Sequence, residues 1–348
     1  MNGRIAFMLL VGTLAVTAAR SGHELPIYPS YYPHEIEIRT VTPERAAGLL
    51  LDGKIHAYIA GAPNFAGALP ESIGAVESLG SFVLVRINPA SPLAQDERSV
   101  CTVAETILRD IAGKSGMVFH PYPVTPWHGD YLHHADLADA AKARLRGDAP
   151  AIANLRVKAA GGLAKSLVRP DWHAPDTHWD AEVAEIGASD LVAGATAAMN
   201  GWLGPPWLRT GWFHAHLLLG GTVDAAARDR VEAELHKLQS DAYRDSLERL
   251  NTERQLVTSL AAGCRTMVAG YSVKREYFNA EFSAGIENVA YDAFEGLSSP
   301  MFIRTVKLKD FPWNGWLALG IDAQPLAAWN PIAGFSDQFG RLMWFGVA

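Results

Sequence analysis

The segment "EIEIRTVTPERAAGLLLDGKIHAYIA" (Glu35–Ala60) limits the fold most narrowly, because strand and helix signals alternate within it. "EIEIRTV" alternates apolar and polar residues, which predicts a strand. Thr42 and Pro43 then provide a helix N-cap and a first helical residue, and Gly53 provides a helix end. "IHAYIA" predicts a second strand. A strand–helix–strand unit of this length places its two strands parallel in one sheet.

The same alternation continues through the first half of the chain. Further strands are predicted at Ser81–Ile87, at Gly116–His120 and in "AIANLRVKA" (151–159), and helices at Thr102–Gly113 and His134–Gly147. Alternating strands and helices are typical of a parallel sheet covered by helices. We therefore expect an α/β domain over residues 35–187.

The second half has a different pattern. Helical periodicity dominates from Ser189 to about Glu295, including the segment "TERQLVTSLAAGCRTMVAGY" (252–271). A strand is predicted to return at Met301–Lys309, and a tail rich in Trp, Pro and Gly follows it. Residues 188–348 are therefore expected to form a mainly helical part with a C-terminal strand.

The N-terminus has the features of a secretory signal peptide. Arg4 precedes the apolar run Ile5–Val16, and small residues follow up to Ala19. We expect cleavage near Ala19, an extended arm over residues 20–34, and a periplasmic or secreted mature protein. The formal net charge of −7 and the absence of a long basic run argue against a nucleic-acid partner.

The chain has two cysteines, Cys101 and Cys264. In an oxidising compartment two cysteines often pair, and this pair would join distant parts of the chain. Two buried free thiols are the alternative, and the sequence leaves both open.

Histidines gather in "HPYPVTPWHGDYLHH" (His120–His134), which is too rich in proline to be a helix. The stretch begins where the predicted strand Gly116–His120 ends. In open parallel sheets, ligands bind beyond the carboxyl ends of the strands. Loops "GAPNFAG" (61–67) and "NPASPLA" (88–94) are expected at the same edge. Three interpretations remain: a polar ligand pocket, a metal site, or a stiff loop whose histidines bind nearby backbone groups.

The segments "DGKIHAYIAGAPNF" and "SFVLVRINPASPLA" resemble the opening of type-2 periplasmic solute-binding proteins, especially those that bind phosphonate-like oxyanions. The resemblance covers about residues 35–116. It implies a parallel-sheet, periplasmic-binding-protein-like first half and a ligand-binding role for Asn64 in one loop and Ser91 in the other. The first prediction is therefore an exported ligand-binding protein for a small polar or anionic solute. A membrane transporter or a periplasmic redox protein would be its partner.

Further ligand-binding candidates come from the residues themselves. His120, Tyr122, His128 and His133 would face the solute from the histidine stretch, held in place by its prolines. Two adjacent cations, Lys274 and Arg275, are suited to neutralising an oxyanion.

The alternative prediction is an exported metal-dependent enzyme that uses zinc or copper. Its ligands would be His120, His128, His133 and Asp130, since imidazole and carboxylate groups suit these metals. His133 and His134 are adjacent and are expected to point in different directions. No H-E-x-x-H spacing supports a helical metal site. The sequence does not decide whether the protein is an enzyme.

Overall fold

The computed structural model describes residues 31–147, 152, 154–175, 177–195, 206–310, 315–325 and 337–347. The predicted signal peptide, residues 1–19, and most of the predicted arm lie outside the described residues, so export stays a prediction. Within the described ranges, no helix combines the length and the apolar character needed to cross a bilayer.

The secondary structure is mixed, which confirms the predicted α/β class. The strands are β1 (Glu35–Thr40), β2 (Ala57–Ile59), β3 (Ile73–Ile87), β4 (Val118–Phe119), β5 (Val157–Ala160), β6 (Ala181–Gly187), β7 (Thr266–Asn279), β8 (Ile286–Glu287), β9 (Lys307–Leu308) and β10 (Trp316–Ile321). The helices are α1 (Pro43–Leu51), α2 (Glu97–Ile111), α3 (Ala135–Arg144), α4 (Gly162–Leu167), α5 (Ala188–Ala195), α6 (Gly211–Leu219), α7 (Ala225–Gln239), α8 (Ser246–Leu260), α9 (Pro300–Thr305) and α10 (Gln338–Val347).

The described residues form two compact units that alternate along the chain. The first contains residues up to 75, 277–290 and 302–323, and the second contains 76–276, 291–301 and 324–348. The boundary predicted between residues 187 and 188 falls inside the second unit. Strands β3 and β7 each contribute residues to both units.

In the first unit, β1 and β2 are both parallel to β10, which lies between them. The predicted parallel orientation of β1 and β2 is confirmed, but they are not neighbours in the sheet. Local sequence specifies the strand–helix–strand unit and not which strand pairs with which. Leu50 of α1 and Tyr58 of β2 are buried in this unit's core, and the Tyr58 hydroxyl donates to the Val41 carbonyl at 2.9 Å.

In the second unit, the strands follow the order β7, β3, β6, β5. Strand β6 is antiparallel to β3 and parallel to β5. The parallel sheet predicted for this region is therefore mixed. Strand β4, predicted at Gly116–His120, has two residues and pairs antiparallel with β7. The prediction that the histidine stretch follows a strand of a parallel sheet is wrong, because β7, the strand beside β4, runs in the opposite direction.

Helices cover both faces of the part of the eight-stranded sheet that belongs to the second unit. Successive side chains of a strand point to opposite faces, and β3 shows this clearly. Phe82 and Leu84 pack into an apolar cluster with α6, α7 and α8. Val83 and Val85 pack into a second cluster with α2 and α4. The histidine stretch contributes Tyr122 and Val124 to the first cluster, so it belongs to the layer that contains α6 and α8.

Two segments of the second half differ from their predicted structure. The helix predicted over residues 252–271 ends at Leu260, and β7 begins at Thr266. Apolar residues in both segments obscured the change of period. The strand predicted at Met301–Lys309 consists of α9 followed by the short strand β9.

The two cysteines form a disulfide. Cys101 of α2 is joined to Cys264, which precedes β7, across a sequence separation of 163 residues. The disulfide alternative is therefore confirmed. It links a helix that covers the sheet to the segment that leads into one of its strands.

Candidate functional site

A cavity of about 590 Å³ lies within the second unit. Its walls combine aromatic, acidic and basic side chains. The lining residues are Trp127, Gly129, Asp130, His133, Trp207, Arg209, Thr210, Trp212, Leu238, Asp241, Tyr243, Arg249, Glu253, Ala293 and Phe294. Four of them belong to the histidine stretch, which is therefore part of the site although not for the predicted topological reason.

Asp130 connects the histidine stretch to the first turn of α6. Its carboxylate accepts hydrogen bonds from the backbone N–H of Gly211 at 2.9 and 3.0 Å and of Trp212 at 3.3 Å. The residue before the helix, Thr210, makes no side-chain cap. A carboxylate from another segment thus takes the capping position, where the helix dipole favours negative charge. A β-carbon at Gly211 would overlap Val124, so glycine permits this close approach.

Glu253 enters the same wall from the middle of α8. Its side chain is buried, and Arg249, one turn earlier, donates from Nε to Oε1 at 2.7 Å. Burial raises the pKa of Glu253, and the neighbouring Arg249 guanidinium opposes that shift. Part of the interior wall of the cavity is therefore a carboxylate held by one charged partner.

His134 lies close to these two acids and is fully buried. Its Nδ1 is 3.0 Å from the Tyr122 hydroxyl, while its Nε2 has no hydrogen-bond partner within the described ranges. Burial lowers its pKa to about 4. One ligand atom each of Asp130, His134 and Glu253 lies within 4.8 Å of the other two. This group combines one imidazole with two carboxylates, a donor set that can hold a metal ion.

Of the four predicted metal ligands, only Asp130 belongs to the candidate metal group found in the described residues. Both ring nitrogens of His128 have protein partners, Thr125 on Nδ1 at 2.9 Å and His214 on Nε2 at 2.9 Å. His120 Nε2 lies 2.8 Å from the Val124 carbonyl oxygen. His133 is exposed at the cavity wall. These three imidazoles do not converge with Asp130 on one point.

Of the residues predicted to bind the solute, His133 lines the cavity. Tyr122 is buried and directed to His134. Asn64 belongs to the first unit and is exposed there. Ser91 is buried in the second unit, where its hydroxyl donates to Asp180 at 2.6 Å.

The two predicted cations have protein partners as well. Lys274 donates to the backbone carbonyl of Glu295 at 3.0 Å. Arg275 pairs with Glu77 on an exposed part of β7, its Nε lying 3.0 Å from the carboxylate. Neither residue lines the cavity described above.

Sequence reasoning missed most of the cavity wall. Arg209, Arg249 and Glu253 lie on elements far from the histidine stretch in sequence, and the tryptophans carry no local signal for a ligand. One pair has a suggestive spacing, since Asp130 and His134 are four residues apart, but this spacing places two side chains on one side only in a helix, which the prolines of the stretch argued against. The third member, Glu253, has no such signal, because helix packing alone brings it there.

No protein-family model matches the chain. No curated protein matches it at a significant level. Solved structures do match part of it.

Of three similar solved structures, one is described as an oligopeptide-binding protein and one as a periplasmic binding protein. NikZ from Campylobacter jejuni in complex with Ni(L-His) has 12% identity and a TM-score of 0.40, with 73% of this chain and 58% of that chain covered. The oligopeptide-binding protein AppA from Bacillus subtilis has 14% identity and a TM-score of 0.40, with 77% and 59% covered. DppA from Helicobacter pylori, an ABC transporter-associated periplasmic binding protein, has 11% identity and a TM-score of 0.45, with 78% and 56% covered.

The chain therefore spans less than two thirds of the length of these three structures. Two of them contain a nonapeptide and the peptide STSA, and the third contains nickel with histidine.

Proposed function

We propose that the chain is an exported binding protein for a small polar solute, and that the cavity in its second unit is the solute site. The observation that carries the proposal is the composition of the cavity wall. About 590 Å³ falls within the size range of small-molecule sites. A few polar groups converge among aromatic side chains, which is the usual composition of such a site.

The aromatic side chains favour a flat or cationic group of the solute. Trp207 packs against Trp212 with ring centroids 6.2 Å apart and against Phe213 at 4.7 Å. Rings fixed in this way present large surfaces that lose little conformational freedom on binding. Aromatic faces also attract ammonium and guanidinium groups.

The charges argue against an oxyanion. Carboxylates already engage both cavity arginines: Arg249 binds Glu253, and Arg209 binds Glu295 at 3.0 Å and also Asp292. Asp130 and Asp241 add negative charge to the wall. An anion would have to displace these ion pairs, whereas an amine or a hydroxyl group would find acceptors in place. We therefore propose an amine-bearing or neutral polar solute, and not the phosphonate-like oxyanion that the resemblance implied.

We also propose that the protein delivers its solute to a membrane transporter. The signal-peptide pattern at residues 1–19 supports export. The resemblance of residues 35–116 to periplasmic solute-binding proteins implies delivery of the solute to a membrane transporter. The structure adds no support for the redox partner.

Tryptophan fluorescence offers a direct test, because three tryptophans line the cavity. Purified protein is titrated separately with spermidine, a tripeptide, glucose and inorganic phosphate. We expect a saturable change with an amine-bearing or neutral probe and none with phosphate. Saturation by phosphate alone would contradict the proposed solute class, and no response to any of the four would contradict the cavity as their binding site.

Two variants test whether the fluorescence change comes from solute binding in the cavity. Trp127→Ala removes an aromatic side chain from the cavity and is expected to weaken binding by about 10-fold or more. Trp179→Ala is the matched control, because Trp179 is also partly buried but packs near Lys158, away from the cavity lining. Equal losses in both variants would place binding elsewhere.

A further inference from the structure

Asp130, His134 and Glu253 form a buried group whose close arrangement is not needed for solute binding. All three side chains are buried, with exposures of 6%, 0% and 2%. One nitrogen or oxygen of each lies within 4.8 Å of the other two. Two carboxylates buried this closely repel each other unless a positive charge or a proton lies between them.

Each of these side chains is fixed from behind by a different element. The Asp130 carboxylate is held by the N–H groups of Gly211 and Trp212, and Glu253 by Arg249. The Tyr122 hydroxyl holds the His134 ring through Nδ1. Hydrogen bonds of this kind orient metal ligands in known sites. The ligand atoms therefore have set positions and do not depend on a mobile loop.

The Nε2 atom of His134 provides the second, independent observation. It is buried and has no hydrogen-bond partner in the described part of the chain. Buried polar atoms without a partner are rare, and a bound ion is one of the recognised explanations. A ring nitrogen of His134 lies within 4.8 Å of a carboxylate oxygen of both Asp130 and Glu253, so a cation bound among these three side chains would account for an imidazole with one ring nitrogen unused.

We propose that Asp130, His134 and Glu253 bind a divalent transition-metal cation of the zinc class. Imidazole nitrogen and carboxylate oxygen both bind zinc in proteins, and zinc sites with three protein ligands, such as His₂Glu, leave a coordination position open. Asp130 and Glu253 also line the cavity, so the open position would be accessible from there. This site goes beyond the proposed function, because the cavity can hold a solute with or without the metal.

The rival explanation is a proton. An imidazolium at His134 would also satisfy two nearby carboxylates, without any metal. The two explanations differ in the response to added metal, which makes them separable in solution.

The test is a titration of chelator-treated full chain with zinc chloride, followed by calorimetry. We expect one zinc ion per chain. His134→Ala and Glu253→Gln should each weaken binding by about 100-fold or more, since outer-shell partners alone contribute roughly 10- to 100-fold. His133→Ala is the matched control, because His133 is adjacent in sequence and lies at the cavity wall. It should retain wild-type affinity. Absence of saturable binding, or equal affinity in all variants, would overturn the proposal.

X-ray absorption of zinc-loaded wild type keeps the proposal testable if a variant fails to fold. The expected shell contains one imidazole and oxygen ligands at about 2.0–2.2 Å. A shell with two or more imidazoles would place zinc on other histidines and overturn the assignment. The solute titrations described above are repeated on chelator-treated protein. They separate this proposal from the proposed function, because the protein can bind the solute without binding zinc and can bind zinc without binding the solute.

Discussion

His128 and His214 share a hydrogen bond of 2.9 Å, from Nε2 of the first to Nδ1 of the second, in the interior of the second unit. The other nitrogen of His214 faces the Leu208 carbonyl at 3.0 Å, which only accepts, so Nε2 of His214 carries the proton. Nδ1 of neutral His214 is then an acceptor, and Nε2 of His128 must donate to it. Nδ1 of His128 accepts from the Thr125 N–H at 2.9 Å. These three hydrogen bonds can form together only when both imidazoles are neutral.

This pairing predicts that acid destabilises the fold. Burial lowers the pKa of both His128 and His214 to about 3, although Asp130 nearby favours the charged form of His214. The unfolded state binds protons near the ordinary histidine pKa of about 6.5. Stability is therefore complete above about pH 6.5 and falls as the pH drops towards 3, by about 1.4 kcal/mol per pH unit for each histidine. Urea unfolding at pH 7, 6 and 5 measures this slope.

The double variant His128→Gln/His214→Gln is the control for that slope. Carboxylates elsewhere in the chain also titrate, and the variant retains them. The difference between wild type and variant should therefore shrink as the pH falls from 7 to 5. A constant difference would mean that the two imidazoles do not produce the acid sensitivity.

Substitution separates the structural histidine from the one at the cavity wall. His128→Gln leaves His214 Nδ1 without its donor in the interior and should lower the free energy of unfolding by about 1–3 kcal/mol. His133→Gln changes an exposed side chain and should shift stability by less than about 0.5 kcal/mol. Thermal unfolding of both variants, with solute titration on each, gives the comparison. Loss of solute binding in His128→Gln at unchanged stability would show that His128 contacts the solute.

The disulfide should contribute strongly to stability. A closed loop spanning 163 residues lowers the entropy of the unfolded chain, and the loop-entropy relation gives about 5 kcal/mol. The variant Cys101→Ser/Cys264→Ser should lose stability of that order in urea unfolding. Mass spectrometry of the exported protein without reductant should show no alkylatable thiol. Two alkylated cysteines would mean that the bond does not form in the cell.

Gly296 is expected to tolerate no side chain. Its φ is +63°, and a β-carbon there would overlap Glu276 Oε2, which accepts from the Leu297 N–H at 2.7 Å. Gly296→Ala should cost about 2–4 kcal/mol, of which the left-handed backbone accounts for roughly 1–2 kcal/mol. Gly113→Ala is the control, because Gly113 has a φ of +82° and nothing within 4 Å of the added carbon. Equal losses of unfolding free energy in the two variants would show that the Glu276 contact is not important.

The spacing of apolar residues predicted those helices and strands in which one face is regularly buried. The helix predicted at Thr102–Gly113 and the strand predicted at Ser81–Ile87 carry clear apolar patterns, and both are present. Helix α2 begins five residues before its predicted start, at Glu97, and β3 begins eight residues before its predicted start, at Ile73. Strand β10 was missed because its place between β1 and β2 depends on a pairing across most of the chain. Strand β7 was predicted as helix because its apolar residues continue the pattern of α8.

The histidine stretch shows where sequence reasoning about the site ends. Adjacent residues on a helical turn point in different directions, and His133 and His134 do so. Which of the two is buried depends on Tyr122 and Glu253, which the sequence does not place beside them. The candidate metal group therefore includes the histidine that the local pattern gave no reason to prefer.

The bond between Cys101 and Cys264 also changes what a cut in the backbone means. A protease that cleaves once anywhere between the two residues leaves fragments that remain one covalent molecule. Electrophoresis without reductant would count such a nicked chain as full length, and only reduction would release the pieces. The intactness of this protein after exposure to proteases should accordingly be judged on reduced samples.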